Sequence, residues 1–361
     1  SYVDGLRELD IDVRFTTRWF NGAIVDATAD QISDASQLPF VESVEYIAPG
    51  EMILPGGRLK EINSSNERTT ESVIELQSQM LNIGEMHNDG FEGQGILIAV
   101  MDAGYPNVNS NPYFSHLFAS GQVRDTYNFI RDTSYVYSDH EHGAIIFSLM
   151  AADFNGYTGT APKADYLLYT TEDGRFDFEY RIEEYWWTVA AERADSAGVD
   201  IITSSLGYYD FEDPAMSYAT EDLNGTTSVI SKATGIASSK GILTVSSAGN
   251  EGNKEWEYVN MPADVPNNLS VGAVDENGTR AVFSSIGPTA DGKLKPDVMA
   301  MGAGAVGVSS SAALRYYWGT SMSAPQVAGL VAGIWQAYPW LNNGRLLQLL
   351  RNSGDQATRP N

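Results

Sequence analysis

One stretch of the chain combines a potential nucleophile with local structure that could activate it: Gly319-Thr320-Ser321-Met322-Ser323-Ala324-Pro325. The following run, Pro325 to Ile334, is apolar and rich in Ala and Gly, the pattern of a buried helix packed closely on its neighbours. Ser321 therefore stands at a helix start, where first-turn N–H groups lack intrahelical partners and the positive end of the helix dipole stabilises an anion forming beside it. A hydroxyl becomes a good nucleophile only when a base takes its proton, and the base needs a third group to fix its tautomer.

The chain offers four histidines for that role: His87, His116, His140 and His142. His142 precedes Gly143 and an apolar run to Ala152, which predicts a helix in the core, and the glycine lets other backbone approach the ring closely. His140, in the acidic loop Tyr137 to Glu141, is expected at the surface, and His87 and His116 in loops or at helix ends. The carboxylate candidate is Asp102, closing the apolar run from Gly95 that reads as a central parallel strand buried on both faces. Functional groups in open α/β sheets collect at such strand ends. An isolated aspartate there would be only a turn or helix cap, and a lone histidine is usually structural; their company raises both. A fourth piece is Ile242 to Gly252, a strand that runs into small residues and ends at Asn250. An amide there can donate to a developing oxyanion together with the Ser321 N–H, although Gly249-Asn250-Glu251-Gly252 alone is an ordinary turn.

In this order the four segments resemble the subtilisin-like serine peptidases, over roughly residues 75 to 355. Thr158-Gly159-Thr160-Ala161-Pro162, Ile201 to Gly207, Phe283 to Pro288 and Lys295 to Ala300 resemble further segments of that family. The resemblance implies an endopeptidase acting on proteins and peptides through an acyl-enzyme, with Asp102 as orienting carboxylate, His142 as base, Ser321 as nucleophile and Asn250 as oxyanion donor. It also implies that Ser205-Leu206-Gly207 pairs with the substrate backbone as an added strand. Ser247-Ala248-Gly249 would then line the pocket for the side chain before the scissile bond. No cofactor is required; calcium is possible, but no site for it is identifiable. Four departures stand out: Ala103 where Ser or Thr is usual, Gln326 for a common His, Met301 for Pro, and Asp153 to Tyr157, shorter than the family's strong calcium loop.

Around these segments the order of strands and helices between His142 and Asn250 requires an α/β fold, a doubly wound, mostly parallel sheet with helices on both faces. Ala164–Thr170, Val199–Ser204 and Gly241–Ser247 are the expected strands, and Tyr180–Ala197 and Thr227–Lys240 the helices; Trp186 and Trp187 on the first belong to core packing. The acidic run Glu172 to Glu179, with Glu183-Glu184 after it, reads first as a solvated loop, next as a charged subsite rim and last as a calcium loop. Glu251 at the pocket rim hints weakly at basic substrate side chains.

At 361 residues there is room for one large core and a small extra domain. The net charge of −25, from 47 acidic and 22 basic residues, argues against a nucleic-acid partner. There is no cysteine, hence no disulfide framework, and no apolar run long enough to span a membrane. Residues 1–49 read as a small α+β unit: a helix at Tyr2–Leu9, strands at Ile11–Phe20 and Ala23–Ala27 about an Asn21-Gly22 turn, a helix capped by Thr28 or Asp30, and a strand at Val41–Ile47. That order is ferredoxin-like without its first strand. Beside the family resemblance it implies a propeptide that blocks the active site in cis. Residues 50–74 read as an exposed linker holding a processing site, residues 75–361 as the catalytic domain, with helical spacing over Glu71–Met86 and a last helix at Leu341–Arg351. A secreted or cell-envelope protein is expected, its signal peptide outside this numbering, with a further C-terminal segment absent from it. Two rivals stand beside this reading: a serine-carboxyl peptidase using a Glu base, disfavoured by His142-Gly143, and an occluded or inactive scaffold that acts as a binding module.

Overall fold

The computed structural model describes residues 2–49, 70–175 and 178–355. The N-terminal unit comprises α1 (Tyr2–Arg7), the antiparallel pair β1 (Asp12–Thr17) and β2 (Gly22–Asp26), and α2 (Ala29–Ala35). Thr28 is the residue that caps α2: its hydroxyl accepts from the Gln31 N–H, and the Gln31 side chain accepts from the Thr28 N–H at 2.8 Å. The strand expected at Val41–Ile47 does not form. The segment lies instead against α7, the Ile47 carbonyl accepting the Ile182 N–H at 3.1 Å, with Ile47 packed on the second core layer. Residues 50–69, with most of the expected linker and its processing bond, lie outside the described residues. Residues 70–74 are not linker but the start of α3 (Thr70–Met80), with Val73 buried in the core. The helix expected over Glu71–Met86 breaks at Asn82, which takes a left-handed φ of 54° before α4 (Ile83–Asn88).

The core continues with β3 (Leu97–Asp102), α5 (Ser115–Ser120), β4 (Val123–Asn128) and α6 (His142–Ala151). A small hairpin, β5 (Asp153–Phe154) and β6 (Tyr157–Thr158), leads to β7 (Asp165–Thr170), α7 (Ile182–Ser196) and β8 (Ile201–Ser204). Then come α8 (Val229–Ser239), β9 (Leu243–Ser247), β10 (Asn268–Val274), β11 (Val298–Met301), the antiparallel pair β12 (Ala303–Val308) and β13 (Leu314–Trp318), α9 (Thr320–Ala337) and α10 (Asn343–Ser353).

Seven strands form one parallel sheet in the order β11-β10-β9-β8-β3-β7-β4. β3 is apolar on both faces because both are covered: Ile98 and Val100 join a core with α3, α6 and α9, while Ala99 and Met101 join one with α7 and α8. Trp186 and Trp187 are core residues of the second layer. From β3 the chain runs to the edge strand β4, returns to β7 between β4 and β3, then crosses to β8 on the other side of β3 and continues through β9 and β10 to β11. That reversal opens a crevice beside the carboxyl end of β3, where Asp102 sits.

The N-terminal unit rests on α7. The Glu192 carboxylate accepts from the Thr17 hydroxyl and from the Arg18 and Trp19 N–H groups, the latter two at 2.9 and 3.2 Å. Glu45 accepts from Arg181 at 2.6 Å and from the Tyr185 hydroxyl at 2.7 Å, and Phe20 meets Tyr185 edge-on. Replacing Glu192 with Ala leaves three donors without their acceptor, and hydrogen bonds to a charged group contribute about 1.5–3 kcal/mol each. Added trypsin is expected to remove residues 2–49 at least about tenfold faster from the Ser321→Ala/Glu192→Ala double variant than from Ser321→Ala, as read by mass spectrometry; equal rates would mean that Glu192 does not hold this unit.

Candidate active site

The site begins where α6 meets β3. Asp102 is fully buried; its Oδ1 accepts the Ala103 N–H at 2.8 Å and lies 2.8 Å from Nδ1 of His142, the first residue of α6. An ionised carboxylate only accepts, so Nδ1 carries the proton and Nε2 is left with the lone pair of a base. Gly143 permits this approach. A Cβ there would stand 3.0 Å from the Asp102 Cβ and 3.1 Å from the Tyr105 ring, and would strike the Gly104 carbonyl. Asp102 Oδ2 is buried without a hydrogen-bond partner among the described residues. Burial disfavours charge on His142, but the Asp102 charge, its hydrogen bond and the charge of Glu172 outweigh it, raising the pKa above the usual 6.5.

His140 is not the surface residue expected. It is half-buried, its Nδ1 accepts the His142 N–H at 3.3 Å, and its own N–H reaches the Ala103 carbonyl at 3.4 Å. Gly174 packs so tightly on it that a Cβ there would lie 2.5 Å from the His140 Cβ. Burial, then the neighbouring His142, lowers its pKa, which keeps Nδ1 an acceptor for one of the first-turn donors of α6. The other two histidines bond backbone carbonyls, His87 that of Thr160 and His116 that of Pro162, both at 3.1 Å.

Ser321 is the second residue of α9, which Gly319 opens. Pro325, four residues on, has no N–H to bond the Ser321 carbonyl, and the Ser205 hydroxyl donates to that carbonyl instead, at 2.9 Å. In return the Ser321 hydroxyl donates to the Ser205 carbonyl at 3.1 Å. Among the described residues it makes no hydrogen bond to His142. The side-chain part of Ser205 in this pair was invisible to residue patterns, though an unbonded carbonyl four residues before a helical proline is a readable signal.

Asn250 is oriented by Thr320, whose N–H and hydroxyl both donate to Oδ1, at 2.9 and 3.1 Å. The amide NH₂ therefore faces the other way. A Cβ on Gly319 would stand 3.6 Å from Asn250 Nδ2 and 3.7 Å from the Ser321 nitrogen. The Asn250 Oδ1 would lie 3.8 Å from that Cβ, so the open position at Gly319 borders both ends of the amide and the Ser321 nitrogen.

Ser205, Leu206 and Gly207 run on from β8 beyond the sheet, and Tyr208 then pairs antiparallel with Met261. Ser247 closes β9, Ala248 is fully buried, and Gly249 donates its N–H to the Thr320 hydroxyl at 3.1 Å. Glu251 does not offer a free charge, being engaged by Lys254 at 2.9 Å and the Tyr209 hydroxyl at 3.2 Å. The acidic run is less solvated than expected. Asp173 is buried and clamped by Arg175 through two contacts of 2.6 Å, and its N–H donates to buried Glu183 at 3.1 Å. The β5–β6 hairpin has a single carboxylate, Asp153, bonded by the Thr158 hydroxyl at 3.2 Å; this does not fit a calcium cage.

The sequence of this site is shared widely. The subtilase family profile of peptidase S8 matches residues 93–361, and a profile described as the peptidase S8 propeptide domain of Bacteroidota matches residues 1–64. The chain belongs to the subtilase family. This subtilase is 30% identical over 272 residues to subtilisin NAT of Bacillus subtilis subsp. natto, covering 74% of the chain and 62% of that relative. With subtilisin of Bacillus pumilus the identity is again 30%, over 74% of the chain and 86% of the relative. The chain therefore spans somewhat under two thirds of the length of several curated relatives. Two solved structures share its fold: the MycP3 protease of the type VII (ESX-3) secretion system (TM-score 0.62, 22% identity, 79% of this chain and 83% of that one) and a cold adapted subtilisin-like serine proteinase (TM-score 0.56, 20% identity, 74% and 87%).

Two outcomes follow for this subtilase. Gly143→Ala forces α6 away from β3, and turnover is expected to fall about 10²-fold, the usual effect of displacing a reacting group by about 1 Å; unchanged turnover would show that α6 can give way freely. Glu172→Gln removes one charge that favours imidazolium, so the acid limb of kcat/KM is expected to move to lower pH. A limb that stays fixed or moves upward would contradict the electrostatic role of Glu172.

Proposed function

We propose that the chain is a serine endopeptidase that hydrolyses peptide bonds through an acyl-enzyme and is made as a zymogen, residues 1–49 acting as inhibitor in cis. The observation that carries this is the 2.8 Å contact of Asp102 with His142 beside a helix-start serine. Ser321 leaves the Ser205 carbonyl, gives its proton to His142 Nε2, and its Oγ bonds to the substrate carbonyl carbon. The carbonyl oxygen, now negative, lies between Asn250 Nδ2 and the Ser321 N–H. Asp102 stabilises the imidazolium, which then protonates the departing amine as the peptide C–N bond breaks. Water, deprotonated by His142, releases the acyl group and restores Ser321. No step needs a metal or cofactor.

Ser205-Leu206-Gly207 would pair with the substrate backbone and Ser247-Ala248-Gly249 would border the pocket for the residue before the scissile bond. We place the protein outside the cytoplasm, secreted or at the cell envelope, where a peptidase restrained in cis until after its synthesis is of use. No helix among the described residues is long and apolar enough to cross a membrane.

Two measurements test this. Intact mass of the full chain, followed beside Ser321→Ala, is expected to show cleavage between residues 50 and 69 only in the unmutated chain, with peptidase activity appearing at the same time. If both chains stay whole and a serine-reactive probe never labels Ser321, the occluded-scaffold reading replaces this one. Asn250→Ala is expected to lower turnover about 10²–10³-fold with little effect on substrate affinity, and an equal loss in both would remove Asn250 from the oxyanion site.

A further inference from the structure

Glu45 reaches from the N-terminal unit to a pair of donors that belong wholly to the core. Its Oε1 accepts from Arg181 Nη1 at 2.6 Å and its Oε2 from the Tyr185 hydroxyl at 2.7 Å, so each oxygen of one carboxylate takes one donor. Arg181 immediately precedes α7 and Tyr185 lies one turn on, which puts both on the same face at that end of the helix. Core contacts fix the guanidinium. It lies over the Tyr218 ring, 5.1 Å from the centroid, and its Nη2 donates to the Met216 carbonyl. The core carboxylate Glu184 stands 4.0 Å from Nε, but its two oxygens accept the Tyr218 hydroxyl at 2.7 Å and the Ile230 N–H at 3.1 Å. Among the described residues, Glu45 is thus the only acceptor for Arg181 Nη1 and the Tyr185 hydroxyl.

This contact borders a cavity of about 480 Å³. Phe20 and Glu45 line it from the N-terminal unit, and Arg181, Tyr185, Tyr218 and Lys232 line it from the core. Lys232, on α8, makes no ion pair among the described residues and adds a second cation to the wall. Asp222, a core carboxylate in the same wall, is engaged by the Ala219 N–H at 2.9 Å. When residues 1–49 leave, Phe20 and Glu45 leave with them, while Met216, Tyr218 and Glu184 go on holding Arg181. Donors fixed in this way need little further ordering to take a second carboxylate. Glu45 also comes before residues 50–69, where the processing bond is proposed, so it meets the core from the amino-terminal side of a scissile bond.

We propose that Arg181 and Tyr185 form an exosite of the processed enzyme for an acidic side chain of a protein substrate, upstream of the scissile bond, and that Glu45 fills this exosite in the precursor. This rests on the peptidase and zymogen reading above. A carboxamide in the same place would turn a donor toward one of the two donors, so the exosite distinguishes Glu from Gln at equal size.

The test uses peptides of residues 41–69 as substrates for the self-processed full chain, one with Glu45 and one with Glu45→Gln, and reads the ratio of their kcat/KM values by mass spectrometry. The unmutated enzyme is expected to prefer the Glu45 peptide by at least about tenfold, because hydrogen bonds to an ionised group are roughly twice as strong as neutral ones. Arg181→Met is expected to bring the ratio to about one. Tyr185→Phe removes a single hydroxyl and is expected to lower the ratio about threefold, which keeps the proposal testable if the Arg181 variant does not fold. A Glu45→Lys peptide is expected to be the slowest of the three with the unmutated enzyme and to overtake the Glu45 peptide with Arg181→Glu. A ratio near one in the unmutated enzyme, or a ratio that neither variant moves, would overturn the exosite. So would failure to cut any of the peptides while a serine-reactive probe still labels Ser321. Failure to cut any of them with no labelling of Ser321 would instead overturn the peptidase reading itself.

Discussion

The active site depends on how closely the start of α6 can approach the end of β3. Asp102 is placed by the sheet, at the carboxyl end of a strand buried on both faces, and cannot move toward His142. The helix must come to the strand. It can do so because Gly143 presents no side chain to Asp102, Tyr105 and the Gly104 carbonyl. His140 completes the arrangement from the other side by accepting the His142 N–H, and Gly174 is pressed onto His140 by the loop that follows β7. The Asp102 carboxylate thus holds the imidazole while His140 holds the backbone N–H of the same residue, and the raised pKa follows from burial being outweighed by the charge of a carboxylate that cannot retreat.

At the other half of the site, the start of α9 solves a problem created by its own sequence. Pro325 leaves the Ser321 carbonyl without its helical partner, and Ser205 supplies one from the substrate-facing chain. The reciprocal bond from the Ser321 hydroxyl to the Ser205 carbonyl ties the start of α9 to the chain after β8. Thr320 fixes the Asn250 amide beside Gly319 by donating twice to its Oδ1. The start of α9, Ser205 and Asn250 are therefore one hydrogen-bonded unit.

Much of this was legible from the residues. Asp102, His142, Asn250 and Ser321 stand at the ends or beginnings of elements whose patterns are strong: a continuous apolar strand, an apolar helix after a glycine, a strand dissolving into small residues. Strands β3, β7, β8 and β9 followed from their buried apolar runs alternating with helices, while β4, β10 and β11 were not read. What was illegible depends on tertiary partners. Val41–Ile47 has the composition of a strand, but its Ile47 carbonyl bonds the first turn of α7 rather than a strand edge. His140 reads as a surface loop until Gly174 packs on it. Glu251 reads as a free charge until Lys254 is seen beside it.

The central claim is that His142, held by Asp102, is the base for Ser321. The most direct measurement is the pH dependence of the rate at which a fluorophosphonate labels Ser321 in the self-processed chain, compared with His142→Ala and Asp102→Asn. The account expects labelling to rise with pH through a single titration above 6.5, the ordinary histidine value, to be lost in His142→Ala, and to be strongly slowed in Asp102→Asn. Labelling that is independent of pH, or that survives undiminished without His142, would contradict it.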